Sequence, residues 1–142
     1  EVLSDPKDDN EEHASTVPEY TNISKDYKIN LAFHQVTSMD GNATLAQMVA
    51  DAQGVNTISP TWFSVTDNNG TISSLASADY VNQAHAMGME VWGLIDNFNS
   101  GTDNLTFLSS TAARANIIQQ LMAQAATVGL DGINLDFESI TE

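Results

Sequence analysis

The sequence predicts an α/β fold with a parallel sheet, here about the first four units of a (β/α)8 TIM barrel with strands in the order 1-2-3-4. From Tyr27 onward, strand-like and helix-like segments alternate, which is typical of parallel strands joined by right-handed crossovers. An open doubly wound sheet also fits, but residues 36–40 after the first strand are not a glycine-rich phosphate loop. Each predicted strand ends in polar or aromatic residues, as barrel strands do at an active-site end, and this favours the barrel.

The first part of this region contains two predicted strands and one helix. Residues 29–36 form the first strand. A helix follows and ends at Gly54, with apolar residues at helical spacing: Leu45, Met48, Val49 and Ala52. The second strand covers residues 55–59 and runs on to Val65, and Asn69-Gly70 is a hairpin-type turn.

The second part adds two helices and two strands. Ser77 caps a helix that ends at Gly88 and has one apolar face: Tyr80, Val81, Ala84 and Met87. The third strand covers residues 90–95. The next helix ends at Gly129 and has a second apolar stripe: Ile117, Ile118, Leu121, Met122 and Ala125. Residues 132–138 form the fourth strand.

Composition and charge limit the functions that are possible. The chain has 142 residues, 42% of them hydrophobic, which suits one globular domain. Its net charge of −15, with only four Lys and Arg residues, argues against nucleic acid or anionic lipid as a partner. No apolar run is long enough for a membrane span. The absence of cysteine excludes a disulfide framework and a thiolate metal site.

The N-terminal segment differs from the rest of the chain. Residues 1–24 are rich in acids, contain two prolines and show no hydrophobic periodicity. Such a segment cannot bury enough apolar surface to order itself. We therefore predict an acidic disordered linker or tail over 1–24 and a folded region over 25–142.

The fourth predicted strand carries its polar residues on one face. Side chains alternate along a strand, so Asn134, Asp136 and Glu138 point one way. The apolar residues point the other way: Ile133, Leu135 and Phe137. Acids in a row suit acid/base chemistry, and the alternatives are a structural hydrogen-bond network or a decayed, non-catalytic site.

This segment resembles a known family. Residues 131–138, Asp-Gly-Ile-Asn-Leu-Asp-Phe-Glu, resemble the fourth-strand signature Asp-Gly-x-Asp-x-Asp-x-Glu of glycoside hydrolase family 18. Residues 59–63 and 91–98 resemble the branch found in bacterial spore-cortex and cell-wall N-acetylglucosaminidases. Two departures stand out. Asn134 replaces an Asp, and the Ser-x-Gly-Gly of ordinary chitinases is missing from the third strand, which favours peptidoglycan-type glycans over chitin.

The resemblance implies a glycosidase that cleaves β-linked N-acetylglucosamine glycans with retention and without a cofactor or metal. Glu138 would be the general acid, and the substrate's own acetamido carbonyl would be the nucleophile, the variant known as substrate-assisted hydrolysis. Asp136 would orient the acetamido group, with Asn134 hydrogen-bonded to it and Asp131 completing the signature. An Asn134→Asp change would restore the family's acid, so the resemblance predicts a mild effect or a gain in activity.

Residues at the other strand ends are the predicted substrate contacts: Gln35, Trp62, Phe63, Asp96, Asn97 and Phe98. Trp62 and Phe63 would stack on sugar rings, or else they are ordinary core aromatics. Asp96 and Asn97 would contact the substrate, or else they cap the loop after the third strand. His34 is expected to be a hydrogen-bonded residue at the rim and not a metal ligand, since no His-x-x-x-His spacing exists.

A complete barrel takes about 250 residues and eight strands. We therefore expect this chain to be the N-terminal half of a catalytic barrel, inactive alone, with the other half in sequence that follows. The rival functions are a glycan-binding, chitinase-like lectin and a cell-wall anchoring protein. Retention of Glu138 counts against the lectin. The resemblance also implies a secreted or cell-envelope protein, bacterial or spore-associated.

Overall fold

The computed structural model describes residues 24–99 and 101–140, so nearly all of the predicted acidic tail lies outside the described residues. The strands are β1 Leu31–His34, β2 Thr57–Val65, β3 Ile72–Ser74, β4 Glu90–Asp96 and β5 Gly132–Asp136. The helices are α1 Leu45–Met48, α2 Ala78–Ala86, α3 Asn104–Ser109 and α4 Thr111–Val128. A 3-10 turn over Met39–Thr44 leads into α1. No helix in this part of the chain is long and apolar enough to cross a membrane.

The four predicted strands form one parallel sheet in the order β1-β2-β4-β5, which confirms the predicted strand order. The short strand β3 is an addition, and it runs antiparallel to the end of β2. In the described residues β1 and β5 are the edges of an open sheet. The structure thus confirms a parallel α/β sheet, whereas the closed barrel stays a prediction.

A single hydrophobic core lies between the sheet and its helices. Ile58 and Val91 contribute from the strands, and Val81 and Leu121 contribute from α2 and α4. Trp62 is the largest fully buried side chain, and its indole N–H donates to Asn42 Oδ1 at 2.7 Å. Removing a buried aromatic of this size costs about 3–5 kcal/mol. The core therefore fixes the helices against the outer side of the sheet.

The helices differ from the prediction where the hydrophobic pattern in the sequence is weakest. The helix predicted to reach Gly54 ends at Met48, because Ala50 and Ala52 make turn bonds three residues back instead of helical bonds. Helix α3, whose six residues begin after the cap Asp103, was not predicted. Ser77 caps α2 as predicted by accepting from the Tyr80 amide.

The stripe predicted on α4 is only partly buried. Ile117 and Leu121 face the core, whereas Ile118 and Met122 are 60% and 63% exposed. Leu135 of β5, 64% exposed, borders the same surface. An edge strand beside the last helix has no further layer over it in the described residues, so this half of the stripe stays open.

A charged cluster closes the amino-terminal end of the sheet. Glu90 accepts from Lys25 Nζ at 2.6 Å and from the Tyr27 hydroxyl at 2.8 Å, and its second oxygen accepts from Trp92 Nε1 at 3.0 Å. The hydrogen bond from Lys25, followed by those from Tyr27 and Trp92, lowers the pKa of Glu90. This carboxylate joins the segment before β1 to the start of β4.

Candidate active site

Strand β5 separates its two faces as predicted. The Phe137 ring packs edge-to-face on Phe107 of α3, with ring centroids 5.7 Å apart, and Ile133 joins the core. Because side chains alternate, Asp136 is directed to the opposite, inner face of the sheet, and Glu138 is exposed two residues beyond the end of β5. The predicted polar row therefore lies away from the helices.

Asn134 is held on this inner face by a residue of β2, which lies two strands away across β4. Its amide nitrogen donates to Ser59 Oγ at 3.2 Å, and Ser59 Oγ donates to the Trp92 carbonyl at 2.8 Å. The predicted partner was Asp136, but the bond in the structure goes across the sheet to β2. The hydrogen-bond chain consequently links β5, β2 and β4.

Two acidic residues lie side by side at the carboxyl ends of adjacent strands. Asp96 ends β4 and is the register partner of Asp136 on β5, and neighbouring strands lie about 4.8 Å apart. Asp96 Oδ1 accepts from Ser64 Oγ at 2.6 Å and from the Phe98 amide at 3.2 Å. These donors fix the Asp96 carboxylate while Asp136 lies beside it, half-buried. The sequence predicted both acids but not their pairing.

Glu138 follows the end of β5 and is attached to the loop after β4. The Asn97 amide nitrogen donates to the Glu138 carbonyl at 2.7 Å, and the Glu138 amide donates to Asn97 Oδ1 at 3.0 Å. Asn104 Nδ2 donates to the same carbonyl at 3.0 Å. Asn97 is only 6% exposed, and both polar atoms of its side-chain amide are hydrogen-bonded to the Glu138 backbone. The predicted substrate contact is therefore wrong for this residue.

Two aromatic residues predicted to stack on sugars are core residues. Trp62 and Phe63 are each 1% exposed, and their rings meet edge-to-face at 6.5 Å. A register shift between Thr61 and Phe63 in the pairing of β2 with β4 breaks the strict alternation, so consecutive rings can both be buried. The alternative of ordinary core aromatics is therefore the correct one.

Asp131 lies at the opposite end of β5 from the acid row. Its Oδ2 accepts from the Val91 amide at 2.7 Å and lies 2.7 Å from His85 Nε2. Five residues of strand separate it from Asp136, which is about 16 Å. Its contacts join β5 to the start of β4 and the end of α2, and the predicted catalytic role of Asp131 stays a prediction.

His34 is hydrogen-bonded as predicted, but it is buried and not at a rim. Its Nδ1 lies 2.8 Å from the Tyr80 hydroxyl and its Nε2 lies 3.0 Å from Thr44 Oγ1. Thr44 Oγ1 donates to the Gly41 carbonyl, so Nε2 carries the proton and Nδ1 accepts from Tyr80. Burial lowers the pKa of His34 and raises the pKa of Tyr80.

A cleft of about 400 Å3 opens at the carboxyl ends of β1, β2 and β4. Gln35, Asp96 and Phe98, three of the predicted substrate contacts, line it together with the almost fully buried Trp62 and Phe63, and contact with a substrate stays a prediction. The Phe98 ring is 59% exposed and offers an aromatic face. Asp96 therefore connects this cleft to the acid row on β5.

Sequence reasoning missed two serines of the site, Ser59 and Ser64. Single serines have no spacing signal, although alternation along β2 from the buried Ile58 places Ser59 on the inner face. Asn104 was also missed, since it lies on the unpredicted α3.

Comparison with known proteins gives matches among solved structures. No protein-family profile matches the sequence, and no curated protein matches it. The C-terminal domain of a protein assigned as a chitinase from Desulfitobacterium hafniense is 24% identical with a TM-score of 0.67, over 79% of this chain and 34% of that chain. The spore cortex-lytic enzyme SleL of Bacillus cereus is 17% identical with a TM-score of 0.62, over 78% and 28%. A chitinase from Chromobacterium violaceum is 20% identical with a TM-score of 0.57, over 78% and 35%.

These structural neighbours are chitinases and a cortex-lytic enzyme, in line with the resemblance seen in residues 131–138. At these identities the likeness shows the fold, an α/β arrangement with a parallel sheet similar to that of chitinase barrel domains. This chain spans about a third of the length of the solved structures that it matches.

Proposed function

We propose that this chain carries part of the active site of a glycoside hydrolase that cleaves β-linked N-acetylglucosamine glycans. The observation that supports this most directly is the group of acids at the carboxyl ends of parallel strands, with Asp136 beside Asp96 and Glu138 just beyond them. In parallel α/β folds, ligands bind at this end of the sheet. The neighbouring chitinase structures support the same reaction class.

Glu138 is the general acid in this proposal. Protonation of the glycosidic oxygen requires a carboxyl group that reaches the leaving group. Glu138 is exposed just beyond β5, and its backbone is held by two hydrogen bonds with the Asn97 side chain, which donates one and accepts the other. A flexible acid with a fixed backbone can approach a bound sugar at this position.

Asp136 orients the substrate's acetamido group. It ends β5 two residues before Glu138, a span of ~6.6 Å in extended backbone. From there it can accept a hydrogen bond from the acetamido N–H and stabilise the positive charge that forms as the acetamido oxygen closes on the anomeric carbon. In this mechanism the sugar supplies its own nucleophile, and a second carboxylate nucleophile is not needed.

A peptidoglycan-type glycan fits better than chitin. The missing Ser-x-Gly-Gly motif and the fold likeness to a spore cortex-lytic enzyme both favour it. Action on a cell wall would agree with the proposed location outside the cell or in its envelope. The 400 Å3 cleft beside Asp96, with Phe98 at its edge, is the proposed place for a neighbouring sugar.

Glu138→Gln in the full-length protein tests the general acid. We expect kcat on N-acetylglucosamine oligomers to fall by about 10²-fold or more, because glutamine cannot donate the acidic proton, while substrate binding survives. The measurement is steady-state hydrolysis with a binding assay alongside. Asp51→Asn, which removes a carboxylate at an exposed position outside the strands, controls for the loss of charge. An unchanged kcat in Glu138→Gln removes this residue from the mechanism.

A de-acetylated substrate tests the nucleophile. A glycan with a free 2-amino group at the cleaved sugar should bind but react at least about 10²-fold more slowly, since no carbonyl oxygen is present to attack. A thiazoline mimic of the cyclised intermediate should inhibit. Turnover of the de-acetylated substrate at a normal rate, or a covalent glycosyl adduct on Asp136, would contradict substrate assistance.

A further inference from the structure

We propose that Asn97 is a positioning residue that holds Glu138 in place beyond the end of β5, and that Asn104 supports it by binding the same carbonyl. The inference rests on the proposed function, in which Glu138 is the general acid. Asn97 then acts through Glu138 and not through the substrate.

The side chain of Asn97 replaces a missing strand neighbour. The ladder between β4 and β5 ends at the pair Asp96 and Asp136. Beyond it, Asn97 both donates to the Glu138 carbonyl, at 2.7 Å, and accepts from the Glu138 amide, at 3.0 Å. Backbone groups of a neighbouring strand would satisfy the same carbonyl and amide of Glu138. Burial of Asn97, at 6% exposure, keeps water from competing for them.

Asn104 secures the next peptide. As the first residue of α3, it donates to the Glu138 carbonyl at 3.0 Å and to the Ser139 carbonyl at 3.3 Å. Ser139 has φ 53°, the left-handed region that non-glycine residues rarely occupy. Such a conformation persists only where its surroundings hold it. The two asparagines therefore fix a sharp change of direction directly after the proposed acid.

This matters because Glu138 is exposed and is not fixed by packing of its own side chain. A general acid must come within hydrogen-bond reach of the glycosidic oxygen. A displacement of about 1 Å can cost about 10²-fold in rate. The backbone contacts of Asn97 and Asn104 therefore set the distance between the Glu138 carboxyl group and the glycosidic oxygen.

The test compares two substrates in the full-length protein. One is an N-acetylglucosamine oligomer, whose sugar leaving group needs protonation, and the other is an aryl glycoside whose acidic phenol leaves without it. Asn97→Ala should lower kcat on the oligomer by about 10-fold or more, and on the aryl glycoside by less than about 3-fold, with KM nearly unchanged. Asn104→Ala should lower kcat on the oligomer by about 3-fold and should leave kcat on the aryl glycoside nearly unchanged. Asn82→Ala, an exposed asparagine on α2, should change neither.

Hydrogen exchange of the Glu138 amide gives a second readout that does not depend on activity. Asn97→Ala should speed this exchange by about 10-fold or more, and Asn82→Ala should not. Unchanged exchange, or an equal loss of kcat on both substrates in Asn97→Ala and Asn104→Ala, overturns the positioning role. If Glu138→Gln itself shows no selectivity between the substrates while exchange in Asn97→Ala is faster, the proposed function fails and the backbone contact stands.

Discussion

Replacing Asn134 with aspartate tests the hydrogen-bond chain on the inner face of the sheet. The Asn134 amide nitrogen donates to Ser59 Oγ at 3.2 Å, and Ser59 gives its one hydroxyl proton to the Trp92 carbonyl at 2.8 Å. A carboxylate has no proton to donate. Asn134→Asp therefore either loses the bond to Ser59 or draws the Ser59 proton away from Trp92.

The expected loss of stability follows from these two alternatives. Loss of one neutral hydrogen bond costs about 0.5–1.5 kcal/mol, and leaving a buried polar group without its partner costs about 1–3 kcal/mol. Asn134 is half-buried, so water can replace part of the lost hydrogen bonding, and the cost stays below the upper end of this range. We expect the free energy of unfolding to fall by about 1–2 kcal/mol at pH 7, roughly a tenfold change in the folding equilibrium.

Urea denaturation measures this change, with a double-mutant cycle as the control. In a Ser59→Ala background the acceptor is gone, so Asn134→Asp should cost less than in the wild type. The new carboxylate is disfavoured in the folded state, so its folded pKa lies above the unfolded value. Its cost should thus shrink as the pH falls toward the ordinary aspartate range, about 4. An equal cost in both backgrounds, or no cost at all, refutes the proposed hydrogen-bond chain.

Two further predictions concern stability. Burial lowers the pKa of His34, so the protein should lose stability as the pH falls below about 6.5. His34→Gln should flatten that pH dependence and should cost about 1–3 kcal/mol at pH 7. If the free energy of unfolding in urea depends on pH as it does in the wild type, this prediction is wrong. Gly70→Ala would place a Cβ against the Ala113 carbonyl oxygen at φ +76° and should cost about 2–4 kcal/mol. Its matched control, Gly88→Ala, has φ +80° with nothing within 4 Å and should cost about 1 kcal/mol, so equal thermal shifts would refute the role of the contact.

The parallel sheet was predictable because its long strands and helices have clear hydrophobic signals. Helix α4 repeats its apolar residues over several turns, and the strands β2 and β4 are largely buried segments of seven to nine residues. The three-residue strand β3 and the six-residue helix α3 are too short to show a period. Tertiary contacts stabilise them, as in the packing of Phe107 of α3 on Phe137.

The acid row was predictable for the same reason, since alternation alone sets its face. The partners of the row were not, because they come from distant parts of the chain. Asn97 and Glu138 are 41 residues apart, and Asn134 and Ser59 are 75 apart. The burial of Trp62 depends on a register shift that local sequence does not show. A position at a strand end therefore located the region of the site but not the role of each side chain in it.

For Asn134→Asp, the resemblance predicts an effect on turnover and the structure predicts an effect on stability. The signature has an acid at this position, so the resemblance predicts that Asn134→Asp is mild or raises turnover. The contacts of Ser59 predict a less stable protein, because its hydroxyl already donates to Trp92. Both can hold, since a carboxylate near Asp136 could aid the reaction while weakening the fold. Measuring kcat and the free energy of unfolding on one preparation separates them: unchanged stability contradicts the hydrogen-bond chain, and a loss of kcat beyond about tenfold contradicts tolerance of an acid at this position.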